Sequence, residues 1–158
     1  MKKMLLFVLF LGAAPAFAQV CNTSLDQHVY HPDRLEQHQV NGKNCIEVRG
    51  TIRDMRVEKD GDYHIQLTLD AAQPDGEQPQ SLINSKNKAI QHGCLVLEPI
   101  CKGHVTQSDA IQPCQGAKKI SVPAIGSHVS VVGRFVRDTE NGHGWMELHP
   151  VTKITVMP

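Results

Sequence analysis

Lys59-Asp60-Gly61-Asp62-Tyr63-His64-Ile65-Gln66-Leu67-Thr68-Leu69-Asp70 is the stretch on which the fold turns. Tyr63, Ile65, Leu67 and Leu69 alternate with His64, Gln66 and Thr68 at the period of two that a strand imposes, giving one apolar and one polar face. The Lys59–Asp62 tetrad is a hairpin turn, because Asp60-Gly61 can take the positive φ values that a tight primed turn demands. A strand must therefore precede it, and 45–57 supplies one. Ile46, Val48, Gly50 and Ile52 alternate with polar residues, and Met55 and Val57 resume the pattern out of phase, which places a bulge near Arg53 and Asp54.

Working towards the C-terminus, 71–93 is rich in Pro, Gly, Asn and Gln and reads as a long connection with a helical turn around 82–90. A short apolar strand follows at 95–99. In 102–116, Thr106-Gln107-Ser108-Asp109 can start a short helix capped by the Thr106 hydroxyl, and Pro113 ends it. Val129, Val131, Gly133 and Phe135 form a fourth strand, and a turn-rich 138–144 leads to a fifth, 145–156, where Pro150 requires a bulge or an unpaired side. The fold class is thus all-β with minor α content: a five-stranded, OB-fold-like Greek-key barrel with one short helix, a long connection between the second and third strands, and a helix-bearing connection between the third and fourth. A β-sandwich, which usually needs about seven strands, is the lesser alternative.

Working towards the N-terminus, 19–44 is a polar arm laid over the barrel domain, 45–158. Residues 1–18 read as a secretory signal peptide: Lys2 and Lys3, an apolar run 4–12, and the small-residue exit Ala16-Phe17-Ala18. The apolar run is shorter than the ~20 residues a membrane span needs, so no membrane anchor is expected after cleavage. Val20 before Cys21 argues against a lipid anchor. The expected localisation is outside the cytoplasm, periplasmic or extracellular.

Without Lys2 and Lys3 the sixteen basic residues fall to fourteen against sixteen acidic ones. The aromatics left are Tyr30, Tyr63, Phe135 and Trp145. A chain with no basic excess and so few stacking platforms is not expected to bind nucleic acid. Five cysteines remain, Cys21, Cys45, Cys94, Cys101 and Cys114, and an exported chain favours their oxidation. Cys101 with Cys114 would close a polar loop and Cys21 with Cys45 would tie the arm to the first strand, leaving Cys94 over. Spacing alone does not settle this connectivity, and a reactive thiol at Cys94 is the rival reading.

Strand parity singles out the chemistry-bearing residues. With Ile65 and Leu67, Leu95 and Leu97, and Met146 and Leu148 inward, His64, Glu98, Glu147 and His149 point outward, with Asp62 at the hairpin mouth. In an OB barrel the third strand lies between the second and the fifth, so these groups share a face and form a candidate ligand-binding or metal patch. His64, His149 and Glu98 are a donor set suited to zinc or another divalent metal, and the same groups could act as acid–base catalysts. Against this stands the ordinary role of such residues, solvated or paired across strands. Trp145 is read as structural, covering one end of the barrel in preference to stacking on a ligand, because bulky aromatics dominate core burial, and Pro150 as structural too. His92, His104, His128 and His143 fall in loops or at strand ends, although His143, in Gly142-His143-Gly144, could cap the mouth of the site. There is no Gly-rich phosphate loop, His-Glu-x-x-His, Cys-x-x-Cys or nucleophile elbow.

Tyr30-His31-Pro32-Asp33-Arg34-Leu35, Asp60-Gly61-Asp62-Tyr63-His64-Ile65, Leu95-Val96-Leu97-Glu98-Pro99-Ile100-Cys101 and His143-Gly144-Trp145-Met146-Glu147-Leu148-His149-Pro150-Val151 together resemble a group of uncharacterised exported bacterial proteins with an OB-fold-like pattern. The resemblance runs through nearly all of the chain after residue 18. It implies that Asp62, His64, Glu98, Cys101, Trp145, Glu147, His149 and Pro150 occupy motif positions, and it brings no activity with it. Cys94 departs from that pattern, where a polar residue is usual. The function expected on these grounds is a non-enzymatic binding module for a small ligand, peptide or partner protein. The alternative is a metal-dependent enzyme, a hydrolase being one form, that uses the His/Glu cluster.

Overall fold

The computed structural model describes residues 20–158, so the expected signal peptide lies outside the described residues. Six strands form one sheet: β1 (Leu35–Gln37), β2 (Cys45–Val57), β3 (Tyr63–Leu69), β4 (Leu95–Leu97), β5 (His128–Asp138) and β6 (Met146–Val156). β2 to β6 close a five-stranded barrel in the order β2-β3-β4-β6-β5, with β5 antiparallel to both β2 and β6. β4 runs parallel to β6, the pairing that sets the third and fifth barrel strands side by side in an OB-type fold. β1 prolongs the edge of β5 that β2 occupies lower down, pairing Leu35 with Asp138.

The barrel interior takes the expected apolar parity: Val48, Ile52, Ile65, Leu67, Leu95, Leu97, Val129, Val131, Leu148 and Val151 are all buried in one core. Each buried aliphatic side chain of this kind contributes ~1.5–3 kcal/mol relative to exposure, which pins the register on which the outer face depends. The bulge in β2 lies where the phase slips, since Ile52 pairs with Leu67 and Asp54 with Gln66, leaving Arg53 over. Pro150 falls in the register shift of β6 between Gly133 and Phe135, where no ladder donor is needed. The His149–Pro150 peptide is cis.

Three local expectations need correcting. The hairpin is not a two-residue primed turn. Gly61 alone has positive φ, and Gly61 N–H bonds to Glu58 O while Glu58 N–H bonds to Asp62 O, so a type I-like turn followed by glycine makes a three-residue loop. The connection between β4 and β5 carries no α-helix, only a 3-10 turn at Ser108–Ala110. Its backbone bonds go instead to the hairpin loop, from Gly103 to Gly61 O and from Thr106 and Gln107 to Lys59 O, and the Cys101–Cys114 disulfide cinches it.

The one α-helix among the described residues, α1 (Ser85–Ile90), lies in the connection between β3 and β4 and starts on an Asn84–Asn87 capping box. Asn87 then exchanges bonds with Met146 at both backbone N–H and O, and Asn84 bonds Gly144 O. These contacts fix the 144–146 segment. Trp145 is the third correction: because Met146 points into the core, Trp145 falls on the outer face and not over a barrel end.

Cys21 pairs with Cys45 and Cys101 with Cys114, and Cys94 is the buried free thiol. The first disulfide starts the arm on β2. From there Asp26 meets Arg134, His28 Nδ1 meets Pro113 O at 2.7 Å, Tyr30 OH donates to Asp109 at 2.6 Å, and Arg34 pairs with Glu140. Leu25 and Val29 pack on Ile100 and Cys101. The arm is thereby drawn across the outer face of β4 and β6.

Candidate functional site

On the outer face of β3, β4 and β6 the parity-selected groups converge. His64 comes from β3, Glu98 from just beyond β4, and Glu147 and His149 from alternate positions of β6. This outward-pointing patch is buried: His64 is 2 % exposed, Glu98 9 %, Glu147 1 %, His149 6 % and Asp62 3 %. Gln91 and Trp145 close over His64, the Trp145 indole over Glu147, and the Cys101 backbone over Asp62.

Glu98 is the hub. Its Oε1 accepts from His64 Nδ1 at 3.1 Å, and its Oε2 lies 3.2 Å from His149 Nδ1. His149 Nδ1 also donates to Glu147 Oε1 at 3.0 Å, while Glu147 Oε2 accepts the indole N–H of Trp145 at 2.8 Å. His64 is closed off on its other side by Gln91 Oε1 at 3.0 Å, which also accepts from Gln66. Asp62 Oδ1 accepts the Cys101 backbone N–H at 2.6 Å, and its Oδ2 lies 3.7 Å from His149 Nε2. His149 Nε2 is buried with no hydrogen-bond partner.

The charges respond to this crowding. Burial alone would raise the Glu98 carboxyl, but the hydrogen bonds from His149 and His64 hold it well below the usual carboxylate range. Burial pushes Asp62 up to about 8, with Asp60 and Glu98 adding to the rise and His149 opposing it. Glu147 is pushed up to about 7 by burial and by the Glu98 charge, against the pull of His149. Burial would depress both imidazoles, yet the Glu98 bond raises His64, and Glu147 with Glu98 raises His149 well above its ordinary value.

Glu98, Glu147 and His149 of this cluster line a cleft of about 240 Å³. The arm forms one wall with Tyr30, His31 and Arg34, and Arg56, Glu58 and Asp60 stand in the β2–β3 hairpin wall. Asp138, Glu140, His143 and Trp145 complete the rim. His143 stacks on Trp145 with ring centroids 4.1 Å apart, and its Nδ1 bonds Asp138. Trp145 meets His64 edge-on at 5.7 Å. His149 also lines a second cavity of about 330 Å³ under the arm, with Asp26, Val29 and Arg134 among its walls.

The groups that could hold a metal are Asp62, Glu98 and His149, with one ligand atom of each within 4.8 Å of the others. His64 is not in that set, because Glu98 and Gln91 take both its nitrogens. A second grouping, Asp62 with Cys101 and Cys114, has its sulfurs consumed in a disulfide. Sequence reasoning missed Gln91, Asp138 and the arm residues Tyr30 and Arg34. Gln91 caps α1 and carries no periodic signal, whereas Asp138 could have been suspected from its place five residues before His143, across a turn.

Comparison with family models and with curated proteins finds no match for the chain. Among the described residues, no helix is long and apolar enough to cross a membrane.

Proposed function

We propose that the protein is an exported binding module that takes a small organic cation in the cleft above Glu98 and His149. Two disulfides support a periplasmic or extracellular setting, and the pattern of residues 1–18 supports the route there. The outer face of the second and third barrel strands is where OB-type barrels commonly take ligands.

One observation carries the reading: the lining holds six carboxylate residues, Glu58, Asp60, Glu98, Asp138, Glu140 and Glu147, against two arginines and three histidines, of which His149 is raised well above its ordinary value, so acid still outnumbers base. Both arginines are already matched, Arg34 with Glu140 and Arg56 with Glu58. An amine entering the cleft would find acceptors at several heights, whereas a nucleic-acid phosphate would meet like charge. The cleft is small by the ~300–1,000 Å³ standard of ligand pockets, which suits a headgroup or side chain more than a polymer.

Trp145 is the chain's one tryptophan and lines the cleft, so its emission reports the site directly. Protein purified after export from cells producing the full chain is titrated with putrescine, with succinate as the anionic control. A saturable change with putrescine and none with succinate is expected. An equal response to succinate, or no response to either, contradicts the proposal.

A metal-dependent hydrolase is the second reading, favoured by the Glu147–His149 pair, in which a carboxylate orients an imidazole whose far nitrogen is open. Metal-dependent turnover of generic ester, phosphate or nuclease substrates, abolished in His149→Gln, would establish it. Absence of turnover leaves the binding module.

A further inference from the structure

We infer that Asp62, Glu98 and His149 bind a single divalent cation, of the zinc or manganese kind, at the floor of the cleft. This deepens the binding reading and rests on it, since it names an inorganic cation as one occupant of the same site.

Three features carry the inference. First, carboxylate oxygens from Asp62 and Glu98 and an imidazole nitrogen from His149 lie within 4.8 Å of one another. Oxygen and imidazole donors without a thiolate suit zinc, manganese or a similar divalent ion and not a soft cation. Second, His149 Nε2 is a buried polar atom with no partner, in a residue 6 % exposed. Leaving such an atom unpaired costs ~1–3 kcal/mol, and a cation would satisfy it. It faces Asp62 Oδ2 at 3.7 Å, close to the ~3.4 Å that two ligands at ~2.1 Å span around a tetrahedral centre.

Third, the other ring nitrogen is already held as metal-binding histidines usually are. His149 Nδ1 donates to Glu147 Oε1, and Glu147 is in turn fixed by the Trp145 indole. Such a carboxylate behind an imidazole orients the ring and raises its basicity towards a metal. Asp62 is likewise held in place by the Cys101 N–H through its other oxygen. Glu98 and His149 both line the cleft, so a cation between them is within reach of a ligand entering from solvent.

The test uses untagged protein exported from cells producing the full chain, stripped with chelator, then titrated with Co²⁺ by visible absorption and competed with Zn²⁺. One Co²⁺ per chain is expected, displaced by Zn²⁺. Asp62→Asn, which keeps an oxygen for the Cys101 N–H, and His149→Gln should each weaken binding at least about tenfold. Glu147→Gln, behind the ligands, should weaken it by ~10–100-fold. His104→Gln, in an exposed loop away from the cleft, should keep Co²⁺ affinity within about threefold. Quenching of Trp145 by Co²⁺ in the unaltered protein supplies a readout that survives if the variants fail to fold. Absence of stoichiometric Co²⁺, or equal affinity in the folded Asp62 and His149 variants, overturns the site. If Co²⁺ is not bound while putrescine still perturbs Trp145, the cation site alone falls; silence towards both overturns the cleft reading as well.

Discussion

Glu147 and His149 stand two residues apart on β6, on one outer face, and Glu147 Oε1 accepts from His149 Nδ1 across 3.0 Å. Since Glu147 Oε2 is taken by the Trp145 indole, one carboxylate sets the orientation of both the imidazole at the floor of the cleft and the aromatic ring at its rim.

Glu147→Gln replaces one acceptor oxygen with an amide that can only donate, so either Trp145 or His149 loses its partner. A loss of ~1–3 kcal/mol in urea unfolding is expected, with a shift in Trp145 emission. Unchanged stability and emission together would show that Glu147 does not hold the two rings.

Glu98 links two imidazoles, one on each oxygen. Truncation in Glu98→Ala leaves His64 and His149 buried without their shared counter-charge, and removing one partner of a buried ionic group costs ~3–5 kcal/mol. Urea unfolding of the purified variant measures it, and a change below ~0.5 kcal/mol, ordinary for a surface position, would contradict the hub.

The metal-free protein should be most stable at mildly acidic pH. Glu98, depressed, contributes stability that is present above the ordinary carboxylate pKa of ~4.3 and is lost as pH falls. His64 and His149, raised, contribute stability present below ~6.5 that is lost as pH climbs through their folded values. Asp62 and Glu147, raised to about 8 and about 7, add a penalty that grows as pH rises from ~4 towards those values. Thermal unfolding in chelator should therefore give a higher Tm near pH 5 than near pH 8, and a Tm that rises over that interval would refute the charge assignment.

Cys94 is 1 % exposed and is the free cysteine among the described residues. Thiol titration of the native protein should find no reactive group, and in denaturant one per chain. Replacing Cys101 and Cys114 with serine opens a loop of sequence separation 13, a loss of ~3 kcal/mol by loop-entropy arithmetic. It also loosens the Cys101 N–H from Asp62. Two or more thiols per unfolded chain, or an unaltered Tm in the serine variant, would contradict this pairing.

What was legible in the sequence is what repeats locally. Ile65 and Leu67 against His64 and Gln66 announce a strand and its faces, and the phase slip after Ile52 announces the bulge, because side-chain period is a property of consecutive residues. The shared outer face of His64, Glu98, Glu147 and His149 follows from that parity and from the barrel order. Their burial does not. It depends on partners remote in the chain, Gln91 against His64 and the Cys101 N–H against Asp62, which leave no pattern in either segment. Height along the strands decided the rest: His64 and His149 share a face and both touch Glu98, yet His64 is turned to Gln91 and Asp62 takes the place beside His149 Nε2.

The most direct measurement is the imidazole ¹⁵N NMR spectrum of the exported protein, assigned with His149→Gln, recorded while putrescine is added. The His149 resonances should shift first and saturate together with the Trp145 emission change, while those of His92, His104 and His128 stay in place. A saturating Trp145 response with His149 unmoved, or shifts spread evenly over all histidines, would contradict binding at the floor of this cleft.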